Sequence, residues 1–199
     1  MDNMKSEIDY FKIETNKAIP EKGKVLIAEP FLSEVYFKRS LLLLVECNEE
    51  GAVGFVMNKP VALKIQEIIA GFPEFDADIS IGGPVQTNTI HFIHTLGSII
   101  TGAVPIGNNL YWGGQFDILQ DLIAKKLVHR NQVKFFMGYS GWSSTQLEEE
   151  IAHNSWLVCS LKECEIMKPQ TTSSWETTLL SLGSRYRLWT NAPSNPNLN

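Results

Sequence analysis

A chain of 199 residues with 44% hydrophobic and 20% charged side chains holds enough apolar material for a full core, burying roughly 70% of its unfolded surface without disulfide or metal support. Seventeen basic against twenty-two acidic residues leave a net charge of −5, which withholds the general attraction to phosphate backbones that nucleic-acid binders carry. Five tryptophans argue against disorder, and the longest aliphatic run, Leu41 to Val45, is far too short to span a bilayer.

Residues 1–22 are polar, with Ile8, Tyr10, Phe11 and Ile13 as their main apolar cluster; they read as an arm. They lack the apolar centre of a signal peptide, so the expected location is the cytoplasm, with no membrane partner. From Gly23 the chain fills with strand formers. Val25–Ala28 is a short strand stopped by Pro30, and Leu41–Glu46 and Val53–Met57 flank the turn Asn48-Glu49-Glu50-Gly51, which predicts a hairpin. A helix is expected over Leu63–Ala70, closed by Gly71 and Pro73. Strands follow at Ile79–Ile81 and Ile90–Thr95, with weaker candidates at Ile99–Val104 and Asn109–Trp112.

Phe116–Leu127 carries an apolar stripe at helical spacing. Val133–Tyr139 is a strong strand, Gly141-Trp142 reads as a turn, and a helix is expected from Ser143, which has capping-box spacing to Gln146. Trp156–Ser160 is the last strand, and Ser174–Leu182 a helix stopped by Gly183. Residues 23–190 read as one domain, and the Asn- and Pro-rich residues 191–199 as a disordered tail. Early hairpins and later helices fit an α+β fold better than a regular βαβ repeat.

Few constellations point to chemistry. Gly138-Tyr139-Ser140-Gly141 resembles a hydrolase nucleophile turn, but Trp142 stands where that turn needs Gly, and only a distant base such as His153 is on offer. His91 and His94, three apart in a strand, face opposite ways and do not chelate one ion. Gly82-Gly83-Pro84 matches neither phosphate-loop fingerprint. The acidic groups Glu148-Glu149-Glu150 and Asp76/Asp78 read as solvated, and the basic stretch Lys125, Lys126, His129, Arg130 and Lys134 as a solvated helix end. Cys47, Cys159 and Cys164 form no C-x-x-C pair and read as reduced thiols. Trp142, Trp156 and Trp175 read as packing for the last third of the chain. No catalytic residue, metal ligand or cofactor emerges.

An ordered series of stretches is nevertheless distinctive: Gly23 to Pro30, Phe37-Lys38-Arg39-Ser40, Gly51-Ala52-Val53-Gly54 with Asn58-Lys59-Pro60, Gly82-Gly83-Pro84-Val85, and Gly138 to Trp142 with Gln146-Leu147, Glu150-Ile151 and Trp156. From Gly23 to Gly183 the chain resembles the AlgH/YqgE family of bacterial proteins. That resemblance implies a mixed, bifurcated and partly barrel-like β-sheet surrounded by helices. It implies no established activity, though some members are labelled transcriptional regulators. The chain departs from the family pattern at Glu34-Val35 (usually Asp-Pro), at Cys47 (commonly His) and at Ser140 (Ala), which weakens a role for the serine. The expectation is therefore a non-enzymatic interaction or regulatory protein with a protein partner. Its binding surface is expected at Arg39, Ser40, Asn58, Lys59, Gly82 and Gly83; a Ser140 hydrolase and a direct DNA binder are the alternatives.

Overall fold

Nine strands and six α-helices are present among the residues described by the computed structural model, 15–32, 34 and 36–193. The strands are β1 (Val25–Ala28), β2 (Leu41–Asn48), β3 (Gly51–Val56), β4 (Ile79–Ile81), β5 (Val85–His94), β6 (Val104–Gly107), β7 (Leu110–Trp112), β8 (Val133–Ser143) and β9 (Trp156–Cys159). The helices are α1 (Ile65–Ile68), α2 (Phe116–Ala124), α3 (Gln146–Ala152), α4 (Glu163–Met167), α5 (Ser174–Leu182) and α6 (Arg187–Thr190). Residues 1–14 of the expected arm and 194–199 of the expected tail lie outside the described residues.

The sheet runs β6-β7-β5-β8-β3-β2-β1-β9 with every neighbouring pair antiparallel, and β4 adds a parallel pairing to β8. β8 is the branch point. Along one side it pairs with β5; along the other its first half pairs with β4 and its second half with β3. The sheet is thus mixed and bifurcated, as the family resemblance implied. It curls without closing: a Cβ on Gly23 would lie 2.4 Å from the Ile106 carbonyl oxygen of β6, yet no ladder joins β6 to β1 or β9.

β2 shows why its sequence lacks alternation. Leu41, Leu43 and Val45 enter one core with Val25, Ile27, Phe55, Trp175 and Trp189; Leu42 and Leu44 enter a second with Leu26, Phe37, Trp142, Trp156 and Ile151. A strand covered on both faces needs apolar residues at every position. A third core gathers Phe72, Phe92, Leu119, Ile123 and Phe135 around α1 and α2.

Several expectations need correction. The predicted 63–70 helix shrinks to the single turn Ile65–Ile68 because Ile69 is already extended. Ile99–Val104 is no strand: Gly97 and Gly102 take φ of +61° and +79°, and a 3-10 turn occupies Gly97–Ile99. The larger error concerns Gly138 to Trp142, which is no strand–turn–helix junction. β8 runs through it to Ser143, and α3 starts only at Gln146. Gly138, at φ +66°, makes an irregularity in the strand where the register to β5 skips between Val85 and Ile90. The helix at Ser174–Leu182 forms as expected and ends at Gly183. Trp175 and Leu179, one turn apart, bury its inner face, and the Trp175 indole N–H donates to the Ala28 carbonyl at 2.8 Å.

Candidate functional site

The start of α5 meets two loops to make a hollow of about 640 Å³, lined by Lys38, Arg39, Asn58, Lys59, Pro60, Ile81, Thr172, Ser173 and Glu176. One loop precedes β2 and the other follows β3, so the β2–β3 ladder fixes their separation. Asn58 ties them together: its Oδ1 accepts from the Leu41 N–H at 2.8 Å and its Nδ2 donates to the Arg39 carbonyl at 2.9 Å. That clamp holds Arg39 in the left-handed region, φ +53°, where a non-glycine residue is strained.

The Arg39 guanidinium lies 5.1 Å above the Trp175 ring and donates through Nη2 to the Ala192 carbonyl. Its Nε is buried and has no hydrogen-bond partner among the described residues. Burial holds the Lys59 ammonium below its usual lysine range. Thr172 and Ser173 bring the N-terminal end of α5, with its positive dipole end, to the same hollow, where the Ser174 N–H donates to the Thr171 carbonyl at 2.9 Å.

Of the six expected surface residues, Arg39, Asn58 and Lys59 line the hollow. The other three shape the backbone beneath it. Ser40 is fully buried and donates to the Tyr36 carbonyl at 3.1 Å. Gly82 and Gly83 are pressed against β8: a Cβ on Gly83 would sit 2.3 Å from the Tyr139 carbonyl. Sequence reasoning missed Lys38, Pro60 and Ile81, which adjoin expected residues, and also Thr172, Ser173 and Glu176 at α5. The expected start of α5 was the one local signal for these last three; its approach to Arg39 is set by tertiary packing.

Ser140 lies fully buried inside β8 and donates to the Gly82 carbonyl at 3.0 Å, a geometry that disfavours a nucleophile. His153 is exposed and bonds through Nδ1 to the Glu149 carbonyl at 2.7 Å. His94, fully buried, pairs Nε2 with the Gly113 carbonyl at 3.1 Å and accepts the Leu96 N–H on Nδ1 at 3.2 Å, while His91 contacts Thr89, Phe55 and Tyr139. No group of three metal-ligating side chains occurs among the described residues.

The charges read as solvated are partly internal. Arg130 pairs with Asp76 at 2.7 Å and Asp78 at 3.5 Å. Lys134 is buried in β8 against Asp78, also at 3.5 Å. Burial lowers the Lys134 pKa, and the Asp78 charge opposes that shift. Glu150 is no solvated acid either. Its Oε2 accepts the indole N–H of Trp142 at 2.9 Å and of Trp156 at 2.7 Å, and its Oε1 accepts from Gln146 at 3.0 Å. The tryptophans are packing, as expected. A second hollow of about 470 Å³, walled by Phe92, Trp112 and Phe116, carries no charged side chain. No helix among the described residues is long and apolar enough to cross a membrane.

Comparison with known proteins adds a third line. The model of a family described as AlgH-like matches residues 25–187. A UPF0301 protein of Bacteroides fragilis is 40% identical over 98% of this chain and 100% of its own length. Another, from Chlorobium limicola, is 41% identical over 89% of this chain and 95% of its own. Among solved structures, the Pseudomonas aeruginosa AlgH protein superposes with a TM-score of 0.67 at 28% identity, covering 86% of this chain and 94% of that one. A Corynebacterium diphtheriae protein gives 0.75 at 19% identity, covering 90% and 95%, a likeness of fold alone.

Proposed function

This chain belongs to the AlgH-like family, and from that premise we propose that it is a non-enzymatic interaction protein of the bacterial cytoplasm whose binding surface is the hollow around Arg39 and Lys59. One observation carries the reading. Arg39, Asn58 and Lys59, distant in sequence from α5, meet the start of that helix in a single hollow that also carries Lys38 and Glu176. The nucleophile and histidine candidates, by contrast, are engaged elsewhere by main-chain or neighbouring groups. A regulatory role, if it is exercised, acts through this surface rather than through DNA. The Arg130 and Lys134 charges, the cations a phosphate backbone would need, are balanced by Asp76 and Asp78.

The test compares what wild-type protein, Arg39→Ala and Lys59→Gln recover from native lysate, quantified by mass spectrometry. Loss of the same partner from both variants is expected; equal recovery by all three proteins removes this surface. The rival hydrolase reading predicts labelling by a fluorophosphonate probe that Ser140→Ala abolishes, and the expected result is a folded, unlabelled wild type.

A further inference from the structure

We propose that β5 offers an open edge to an extended peptide, which adds to it as a strand and seats one apolar side chain in the hollow walled by Phe92, Trp112 and Phe116. This second surface is independent of the hollow at Arg39. Residues along β5 point their main-chain groups alternately to β8 and to β7. Thr95, just past the strand, sends its N–H to the Gln132 carbonyl beside β8 at 3.0 Å, whereas the Phe92 carbonyl accepts the Gly113 N–H on the β7 side, also at 3.0 Å. Ile90, two residues before Phe92, faces the same way as Phe92. β7 stops at Trp112, however, and Gly113 and Gly114, at φ +65° and +101°, turn the chain aside. The Ile90 N–H and carbonyl are therefore left facing the hollow with no strand opposite among the described residues. The Phe92 N–H joins them: the Gly113 carbonyl that would complete its pair is taken by His94 Nε2 at 3.1 Å. Two donors and an acceptor at strand spacing, beside an apolar hollow of about 470 Å³, match the main chain of one more strand.

The contrast with the rest of the sheet supports this. Natural sheets blunt exposed edges with proline, charge or a covering segment. Both ends of this sheet carry such a device. Asn16 covers the outer edge of β9, its Nδ2 donating to the Val158 carbonyl at 2.7 Å, and Pro105 removes a donor from β6. Neither a charged side chain nor a proline lines the hollow beside Ile90. Its one imidazole, His91, is held below the usual histidine range by burial and is neutral at pH 7. Val104, on its rim, is 44% exposed. Those walls suit an apolar anchor and would leave a charged one unpaired.

The experiment titrates the ¹⁵N-labelled full chain with blocked pentapeptides of threonine that carry Val, Leu, Ile, Phe or Trp at the centre. The comparison arms are the same peptide with Asp at the centre, and the tightest binder N-methylated on either alternate set of residues. Saturable shifts at the amides of Ile90, Phe92, Gly113 and Gly114 are expected from at least one apolar peptide, with slowed hydrogen exchange at Ile90 and Phe92. A strand pairs through one edge, so one N-methylated form should bind about tenfold more weakly and the other nearly as well as the parent. Val104→Asp, on the exposed rim, is expected to weaken binding about tenfold, and Leu188→Asp, exposed on α6, to leave it unchanged. Urea midpoints check that both variants are folded. No saturable shift from any apolar peptide, equal binding of the Asp peptide, or equal binding of both N-methylated forms and the parent overturns the proposal. Shifts at these amides that grow with protein concentration alone assign the edge to a second copy of the chain and overturn it as well.

Discussion

Replacing Glu150 by alanine should be among the most damaging single changes on α3, although it removes one member of an acidic run. Its carboxylate is the shared acceptor for the Trp142 and Trp156 indoles, which are 6% and 0% exposed. The two rings pack with Phe37 at centroid distances of 5.5 to 6.0 Å, so loosening either disturbs the second core. A hydrogen bond to a charged group contributes roughly 1.5–3 kcal/mol, and two lost together give a destabilisation of about 4 kcal/mol. For a protein of this size, that lowers Tm by about 10 °C. Glu150→Gln retains an oxygen that accepts both indoles and should cost only about 1–2 kcal/mol, the difference between charged and neutral acceptors. Urea unfolding followed by tryptophan fluorescence, with near-ultraviolet circular dichroism for the ring cluster, measures both. A loss below about 1 kcal/mol in Glu150→Ala would refute the reasoning, because the indoles would then be satisfied without the carboxylate.

Three further outcomes are expected. Gly83→Ala forces a Cβ to 2.3 Å from Tyr139 backbone atoms and should cost about 3 kcal/mol. Gly71→Ala, at φ +78° with open space around it, should cost about 1 kcal/mol; urea midpoints compare the two. Burial holds the His94 and His91 pKa values below the usual 6.5, so below that pH the unfolded chain binds more protons and stability falls as pH drops. The fall in Tm from pH 7 to 5.5 should therefore be smaller in His94→Gln than in wild type, and identical slopes would count against it. With Ellman's reagent, exposed Cys164 should react first. Cys159, pushed up to about 12 by burial, and Cys47, raised mainly by burial, should wait for denaturant.

The parts legible in the sequence are those decided locally. The β2–β3 hairpin follows from two apolar runs around Asn48 to Gly51, and the end of α5 from Gly183. Ser140 was misplaced because Gly138 and Gly141 imitate a turn; pairing of Val53 with Gly141 and Gly54 with Ser140 keeps that segment in the sheet instead. Pairing with Asp78 likewise brings Lys134 inside, and no window around Lys134 contains that partner. Glu150 differs from its acidic neighbours only in helical phase, lying three residues after buried Leu147 and beside buried Ile151. A third of the candidate site's lining was within reach for the same reason: Arg39, Asn58 and Lys59 flank one hairpin, whereas the hydroxyls of Thr172 and Ser173 arrive through the docking of Trp175 under Ala28.

The late position of β8 has a consequence for synthesis. Its hydrogen-bonding partners β3, β4 and β5 all leave the ribosome before it does, so the nascent chain carries strand edges waiting for residues 133–143. Completing the sheet requires contacts far apart in sequence, the kind that form slowly and leave edges open to wrong pairing meanwhile. A ribosome stalled before Val133 should therefore hold a protease-sensitive, chaperone-engaged chain, and the released chain, with β8, β9 and α5 in place, should not.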